Sequence, residues 1–430
     1  MQELPAEPLE VPEDGLIAEA IAAETEWMQE ILARLVEKPT VLGNEEPGQA
    51  VMREALREVG LEPVDVPMDA EVLREHPLAS PFDWDVSGSR NVVARWDPEG
   101  RDGGSSLILN GHIDVVSPEP VSRWARDPFV AHVEDEWLSG RGSADMKCGL
   151  AAILGAVKGL RRAGLRPHAP VTIQSVVEEE CTGNGTLQTL LAGYTADAAV
   201  IAEPYGSAIT TSQVGVLWFQ VVIEGIAGHA GDEKHGINAI EQSLRVIPAL
   251  RELEAELNAD PPPPYDAYAH PIGLNVGTIA GGDWPSTVPG ECVTGYRIAL
   301  FPGMDVAALQ ARIEAVVAGV AAEDPASFPL PPRVRFVGFR AEGYEVDPEH
   351  PLVRTVAGAH ARVFGTEPAR ISTTSTTDAR VFGQVAGIPA VCFGPYAEGA
   401  HGSEERVYLP SVVQTAQVLG LTIRDWSGLS

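Results

Sequence analysis

The chain has 430 residues, a length that indicates two domains rather than a single hydrophobic core. A net charge of −31 argues against nucleic acid and membrane partners, since both bind basic surfaces. The four cysteines form no CxxC motif or disulfide framework, so the expected compartment is a reducing cytoplasm. Residues 1–15 are acidic and Pro-rich without the pattern of a signal peptide, and they predict a poorly ordered leader.

The first half of the chain alternates between helical and strand patterns. Helices are predicted over residues 16–37, over EEPGQAVMREALREVGLEP, and from Met146 to Leu165. Strands are predicted in NVVARWDP, SSLILNGHIDVV, VTIQSVVEEE and ADAAVIAEP, with the helix TLQTLLAGY between the last two. This alternation predicts an α/β fold with a mostly parallel sheet.

The pattern changes near Gln213. A strand, a long amphipathic helix, two strands, a helix and a strand follow, in the order β-α-β-β-α-β. We expect residues 213–339 to form a two-layer domain that is inserted into the larger one. The larger, metal-binding catalytic domain is then built from residues 1–212 and 340–430.

Candidate metal ligands begin at the end of a predicted buried strand. His112 and Asp114 stand two residues apart there, so both side chains project from the same face. A carboxylate commonly orients a histidine that binds metal, although the pair alone is more typical of a surface strand ending. Asp145 precedes a helix, where it could cap the helix or bridge two cations.

Further candidate ligands follow three later predicted strands. Residues 178–180 are all Glu, Glu203 follows AVIA, and His401 lies in the loop after IPAVCFG. Each alone is typical of a solvated strand end or loop. Because ligand crevices lie outside the carboxyl ends of parallel strands, we expect these groups to converge with His112 and Asp145. Two histidines and three carboxylates suit two zinc ions or similar divalent metals.

Two other stretches carry polar residues with competing interpretations. His229 lies in a Gly-rich turn and Asn238 at a predicted helix start, so a hairpin turn and a helix cap are the simpler explanations. Asp378 and Arg380 could form a structural ion pair. Alternatively, Arg380 could bind a substrate carboxylate through a bidentate guanidinium contact.

Seven motifs occur in order between Leu107 and Glu405. They are GHIDVV, GRGSADMKCG, EEECTGNGT, AEP, GHAGDEKHGINAI, LNVGTIAGG and FGPYAEGAHGSEE. With them the chain resembles the dinuclear zinc amidohydrolases, a metallopeptidase family that includes acetylornithine deacetylase, succinyl-diaminopimelate desuccinylase, aminoacylase and bacterial glutamate carboxypeptidase. The resemblance implies a homodimer built through the inserted domain, and two divalent ions, zinc first, with cobalt or manganese as alternatives.

The resemblance also implies roles for individual residues. One metal would be held by His112, Asp145 and Glu203, and the second by Asp145, Glu180 and His401. Glu179 would be the general base, with Asp114 supporting His112. His229 would reach the partner's active site and stabilise the oxyanion. The candidate substrate contacts are Arg380, Asn238 and Ser286.

Three positions depart from the family pattern. Ser286 stands where Asn is frequent, Gly231 where Ser is frequent, and Glu178 where Asp is common. None of these departures removes a metal ligand.

The implied activity is hydrolysis of the amide bond of a small N-acyl amino acid or related amine, with a substrate that carries a carboxylate. A dipeptidase or carboxypeptidase with the same dinuclear centre is the alternative. A non-catalytic binding relative would have lost ligands or the base, and all are present. The manganese amidohydrolases of the same superfamily need Cys at position 145, where this chain has Asp.

Overall fold

The structure is a computed structural model that describes residues 13–98, 103–232 and 236–430. The helices of these residues are α1 (Asp14–Ala22), α2 (Thr25–Val36), α3 (Glu46–Glu58), α4 (Ala70–Glu75), α5 (Lys147–Arg162), α6 (Asn184–Leu191), α7 (Ala239–Leu257), α8 (Val306–Glu323), α9 (Pro351–Phe364), α10 (Ala379–Ala386) and α11 (Leu409–Ser427). Most of the predicted leader lies outside the described residues. No helix in the described part of the chain is long and apolar enough to cross a membrane.

The strands are short and numerous. They are β1 (Pro63–Pro67), β2 (Arg90–Trp96), β3 (Leu107–His112), β4 (His132–Glu134), β5 (Trp137–Ser139), β6 (Val171–Val176), β7 (Ala198–Ile201), β8 (Ile209–Gln213), β9 (Gly215–Glu224), β10 (Gly228–His229), β11 (Leu274–Gly281), β12 (Thr287–Val288), β13 (Glu291–Leu300), β14 (Arg333–Ala341), β15 (Tyr344–Glu345), β16 (Arg370–Thr373), β17 (Ala390–Cys392), β18 (Ala397–Glu398) and β19 (Arg406–Tyr408).

A large mixed sheet forms the main body in the order β1-β2-β6-β3-β7-β17-β8-β15, with β16 also paired to β8. Its central strands β6, β3, β7 and β17 are parallel, and the flanking pairs β1–β2, β2–β6 and β17–β8 are antiparallel. Every residue of β3, β6 and β7 is buried, as expected for strands covered on both faces. The predicted α/β fold is therefore confirmed, with parallel pairs at the centre of the sheet and between β16 and β8.

The N-terminal helical pattern differs from the prediction in one respect. The prediction of a single helix over residues 16–37 is wrong, because the helix is interrupted between α1 and α2. The Glu24 carboxylate is buried at this break and pairs with Lys158 at 3.3 Å and Arg162 at 2.7 Å. Thr25 Oγ1 also donates to the Ala22 carbonyl at 2.7 Å, so side-chain bonds replace the helical pattern there.

A second sheet, β11-β13-β9-β14, is antiparallel and lies in the β-α-β-β-α-β stretch of the sequence. Helices α7 and α8 cover one of its faces and complete a separate core that includes Leu217, Phe219, Ile298, Leu250 and Ile313. The other face is turned toward the carboxyl ends of the central strands of the large sheet, where the two sheets enclose a cavity.

Candidate active site

Two clusters of histidine and carboxylate side chains lie at the carboxyl ends of the parallel strands. One consists of His112, Asp145 and Glu203, and the other of Asp145, Glu180 and His401. In each cluster the potential ligand atoms lie within 4.8 Å of one another. The two Asp145 carboxylate oxygens face different histidines, with Oδ1 3.1 Å from His112 Nε2 and Oδ2 3.4 Å from His401 Nε2. Asp145 is therefore common to both clusters.

His112 ends β3, and Asp114 follows it in the buried chain. His112 Nδ1 lies 2.9 Å from the Asp114 carbonyl oxygen and 3.7 Å from its carboxylate, which leaves Nε2 free to face the cluster. The Asp114 carboxylate accepts hydrogen bonds from the backbone N–H groups of Glu179, at 3.3 Å, and Glu180, at 3.0 Å. Asp114 thus fixes both the histidine and the acidic turn.

The three glutamates after β6 point in different directions. Glu178 adopts a left-handed conformation, with φ of 61°, and its carboxylate accepts from Trp84 Nε1 at 2.9 Å and Thr182 Oγ1 at 2.8 Å. Glu179 is 6% exposed, and its Oε2 lies 3.9 Å from His112 Nε2. Glu180 Oε2 lies 3.1 Å from His401 Nε2. The turn therefore directs only its last two carboxylates into the site.

The prediction missed a buried pair, Arg141 and Glu405, behind the Asp145 loop. Glu405 Oε1 accepts from the backbone N–H groups of Ala144 and Asp145, both at 3.0 Å, and its other oxygen pairs with the Arg141 guanidinium. Arg141 Nη2 donates to the carbonyl oxygen of His401 at 3.2 Å. The pair links the loops that carry the two potential ligands Asp145 and His401.

Electrostatics at the site reflects an excess of acid. Burial opposes the charged form of His112, but its hydrogen bond to Asp145 and the nearby Glu203 and Glu179 raise its pKa well above the ordinary value. Burial, with the charge of Asp145, raises the pKa of Glu203, and burial together with Glu203 raises that of Glu179. Hydrogen bonds to Asp145 and Glu180 raise the pKa of His401 to about 11. Buried carboxylates this close repel one another unless cations neutralise them.

The donor set fits two divalent metal ions. Each cluster offers one histidine nitrogen and two carboxylate groups, and the shared carboxylate has one oxygen for each side. The Glu180 Oε1 atom is buried without a hydrogen-bond partner, and the carboxylates outnumber the histidines. The chemistry of these residues suits zinc, with cobalt or manganese also compatible with nitrogen and oxygen ligands.

A cavity of about 570 Å³ opens beside the clusters. Glu179, Glu180 and His401 line one side of it. The open face of the second sheet lines the other, with side chains that include Val216, Trp218, Gln220, Asn275, Arg297 and Phe339. The cavity has the size of a small-molecule site.

Three of the predicted residues lie apart from the two clusters, in the stretch of chain between β9 and β13. His229, on β10, pairs with Thr287 of β12, and Ala230 N donates to the Ser286 carbonyl at 3.0 Å. The Asn238 Oδ1 atom caps α7 by accepting from Ile240 N at 3.0 Å and from the next backbone N–H. His229 is exposed, and none of the three lines the cavity beside the clusters in this single chain.

Arg380 lies on α10, behind the wall of the cavity. It is 3% exposed, its guanidinium lies 5.7 Å from the Phe339 ring centre, and Nη2 donates to the Thr182 carbonyl at 2.8 Å. Asp378 accepts from Thr186 Oγ1 at 2.6 Å instead of pairing closely with Arg380. In this arrangement Arg380 supports the turn that carries the glutamates and does not face the cavity.

The chain is similar to known proteins in sequence and in fold. The pattern of the family described as peptidase family M20/M25/M40 matches residues 108–425. The chain is 30% identical over 369 residues to N-formyl-4-amino-5-aminomethyl-2-methylpyrimidine deformylase of Halalkalibacterium halodurans, covering 80% of this chain and 85% of that protein. It is 28% identical over 345 residues to succinyl-diaminopimelate desuccinylase of Paracoccus denitrificans, covering 78% and 86%.

The fold also matches solved structures. The dipeptidase Dug1p of Saccharomyces cerevisiae superposes with a TM-score of 0.78 at 16% identity, covering 97% of this chain and 99% of that one. At this identity the likeness concerns the fold. The family pattern spans most of the chain, from β3 to α11, and includes both clusters. The predicted resemblance is confirmed: the chain belongs to peptidase family M20/M25/M40, a family of amide-bond hydrolases.

Proposed function

We propose that the chain is a metal-dependent hydrolase that cleaves the amide bond of a small N-acyl amine or N-acyl amino acid. The observation that carries the proposal is the shared Asp145 carboxylate between two ligand clusters, with the Glu179 carboxylate beside them at the cavity. The relatives named above are a deformylase and a desuccinylase, which supports removal of a small acyl group. The native metal is proposed to be zinc.

The positions of the clustered side chains determine the role that we propose for each residue. His112, Asp145 and Glu203 would hold one ion, and Asp145, Glu180 and His401 the other. Two such ions, when bound, polarise an amide carbonyl and acidify a water molecule. Asp114 would keep the His112 ring oriented through its contact with Nδ1.

Glu179 is proposed as the general base and acid. Its carboxylate lies at the cavity and beside the first cluster, within 3.9 Å of His112 Nε2. It would take a proton from the attacking water as the C–O bond forms, and deliver that proton to the nitrogen as the C–N bond breaks. The products are a carboxylic acid and a free amine.

Removal of metal should abolish the activity and destabilise the fold. Chelator treatment leaves several carboxylates crowded in a buried space, so we expect a lower melting temperature as well as loss of hydrolysis. Both should return on titration with zinc to two equivalents per chain, as followed by metal analysis and thermal unfolding. A chain that keeps full activity without bound metal would contradict the proposed centre.

We further propose that residues 213–339 form a dimerisation domain and that His229 acts in the partner's active site. The exposed position of His229, apart from the cavity of its own chain, supports this proposal. His229→Ala should lower kcat by roughly 10²–10³-fold, the usual loss for one oxyanion donor. Co-expressing His229→Ala with Glu179→Gln chains should restore part of the activity, because mixed dimers contain one intact site. No recovery in purified mixed dimers would contradict action in trans.

The rival activity is cleavage of dipeptides by the same centre. Formyl, acetyl and succinyl derivatives of one amino acid, compared with dipeptides of the same residue, separate the two activities. We expect kcat/KM to favour a small acyl group, and a preference for dipeptides would replace the deacylase assignment.

A further inference from the structure

The cavity has an apolar wall opposite the metal-ligand clusters. Val216 and Trp218 project from β9 and Phe339 from β14. The Trp218 and Phe339 rings meet edge to face, with centroids 5.3 Å apart and an interplanar angle of 84°. Trp218 is only partly buried, although it packs against Phe339 and Val216. An aromatic surface of this kind, at the mouth of a catalytic centre, favours a flat apolar group in the substrate.

Backbone geometry holds this wall in place. Gly338 precedes Phe339 with φ of +82°, and a Cβ atom at that position would lie 2.4 Å from Trp218 Cε3. Only glycine combines this conformation with the close approach of the indole ring. The bulge in β14 that contains Gly338 therefore brings Trp218 and Phe339 together.

A strap segment, defined as residues 80–84, connects the wall to the acidic turn. Gly338 N donates to the Pro81 carbonyl at 2.7 Å, and Arg340 N donates to Ser80 Oγ at 3.1 Å. Ser80 Oγ in turn donates to the Thr182 carbonyl at 2.8 Å, and Trp84 donates to Glu178. Hydrogen bonds from both neighbours of Phe339 therefore connect its backbone, through the strap segment, to the turn that also carries Glu179.

The polar side chains that the second sheet contributes to the cavity include two amides. Gln220 on β9 and Asn275 on β11 each offer a donor and an acceptor. Arg297 is the single arginine or lysine among the described residues that line the cavity, and its guanidinium donates to the carbonyls of Gly273, at 3.3 Å, and Thr374, at 3.2 Å. The lining therefore suits a neutral ring with heteroatoms better than a strongly anionic chain.

We propose that the amine half of the substrate is a flat aromatic or heteroaromatic ring, which packs against Trp218 and Phe339 while Gln220 and Asn275 bind its heteroatoms. This inference rests on the proposed amide hydrolysis and specifies its substrate class. Water adds to the acyl carbon, the amide C–N bond breaks, and the ring leaves as a primary amine.

The test uses the full-length, metal-loaded enzyme and substrates that share one acyl group. N-acyl benzylamine and an N-acyl aminomethylpyrimidine are compared with N-acyl cyclohexylmethylamine and N-acyl ornithine. We expect higher kcat/KM for the two flat rings. Trp218→Leu and Phe339→Leu should each reduce kcat/KM for them by about 10- to 100-fold, mainly through KM. The change for the two aliphatic substrates should stay within about threefold.

The matched control is Trp27→Leu, because Trp27 lies on α2, donates to Glu58 of α3 and does not line the cavity. This variant should keep the wild-type preference for flat rings. Equal losses for flat and aliphatic substrates, or a wild-type preference for the ornithine derivative, would overturn the proposal.

Binding of the amine product distinguishes failure of this inference from failure of the proposed hydrolysis. Calorimetry with the free ring amines should show binding to the wild type and at least tenfold weaker binding to Trp218→Leu. Binding of this kind without cleavage of any amide supports the aromatic wall and contradicts the hydrolysis. Cleavage of amides without preferential binding of flat amines supports the hydrolysis and contradicts the aromatic wall.

Discussion

Glu179→Gln is expected to lower kcat by roughly 10²–10⁴-fold while both metal sites remain filled. The amide keeps the size of the side chain but cannot accept a proton from water or return it to the leaving nitrogen. The potential ligand atoms belong to other residues, so the clusters should keep their geometry. The measurement is kcat at saturating substrate, together with metal content by elemental analysis.

Glu178→Gln provides the matched control for this prediction. Glu178 is the adjacent residue, but its carboxylate binds Trp84 and Thr182 and points away from the clusters. We expect this variant to keep most of the wild-type kcat. Near-normal turnover of Glu179→Gln, or equal losses in both variants, would remove Glu179 as the base.

Glu405→Gln is expected to destabilise the fold by about 3 kcal/mol and to weaken metal binding by roughly 10- to 100-fold. The substitution leaves the buried Arg141 guanidinium without its carboxylate partner. It also places an amide NH₂ group where a carboxylate oxygen now accepts from Arg141 or from the backbone of the Asp145 loop. The loops that carry Asp145 and His401 then lose their common support.

Chemical denaturation and competition with a metal chelator measure the two effects separately. Glu404→Gln is the matched control, since Glu404 is the exposed neighbour in sequence. It should change neither quantity measurably. If Glu405→Gln loses stability but keeps wild-type metal affinity, the pair is only structural and does not position the ligands.

The clustered residues could be predicted because their positions depend on strand order and direction. His112 ends the buried strand β3, and Glu180, Glu203 and His401 follow β6, β7 and β17. These four strands are parallel to one another at the centre of the sheet. Residues after such strands meet at one edge whatever the details of the loops. Asp145 could be placed with them because the α5 helix begins beside that edge.

Glu405 could not be distinguished from a solvated acid by its local sequence. It stands beside Glu404 in GSEERV, and its burial depends on the pairing of β19 with β5, which is distant in the chain. Only the structure distinguishes it, because there Glu405 and Val407 are both buried while Arg406 between them is exposed. This is the alternation of a strand, and it places Glu405 on the inner face with Val407.

The sequence also could not decide the role of a polar residue that suits two different functions. Asn238 could cap a helix or contact substrate, and in the structure its oxygen is engaged by the cap. Arg380 has the chemistry of a carboxylate ligand, but its burial behind Phe339 depends on how α10 packs. Such choices are determined by tertiary contacts, to which the adjacent sequence gives no guide.

The position of β17 has a consequence for how the chain reaches this structure. β17 lies between β7 and β8 and is the last strand of the large sheet to be synthesised. Until residue 392 has left the ribosome, β7 and β8 expose unpaired edges, and His401 is not yet available. The antiparallel sheet with its own core can form earlier. We therefore expect metal capture to be a late event in biogenesis, and C-terminally truncated chains to aggregate through the open centre of the sheet.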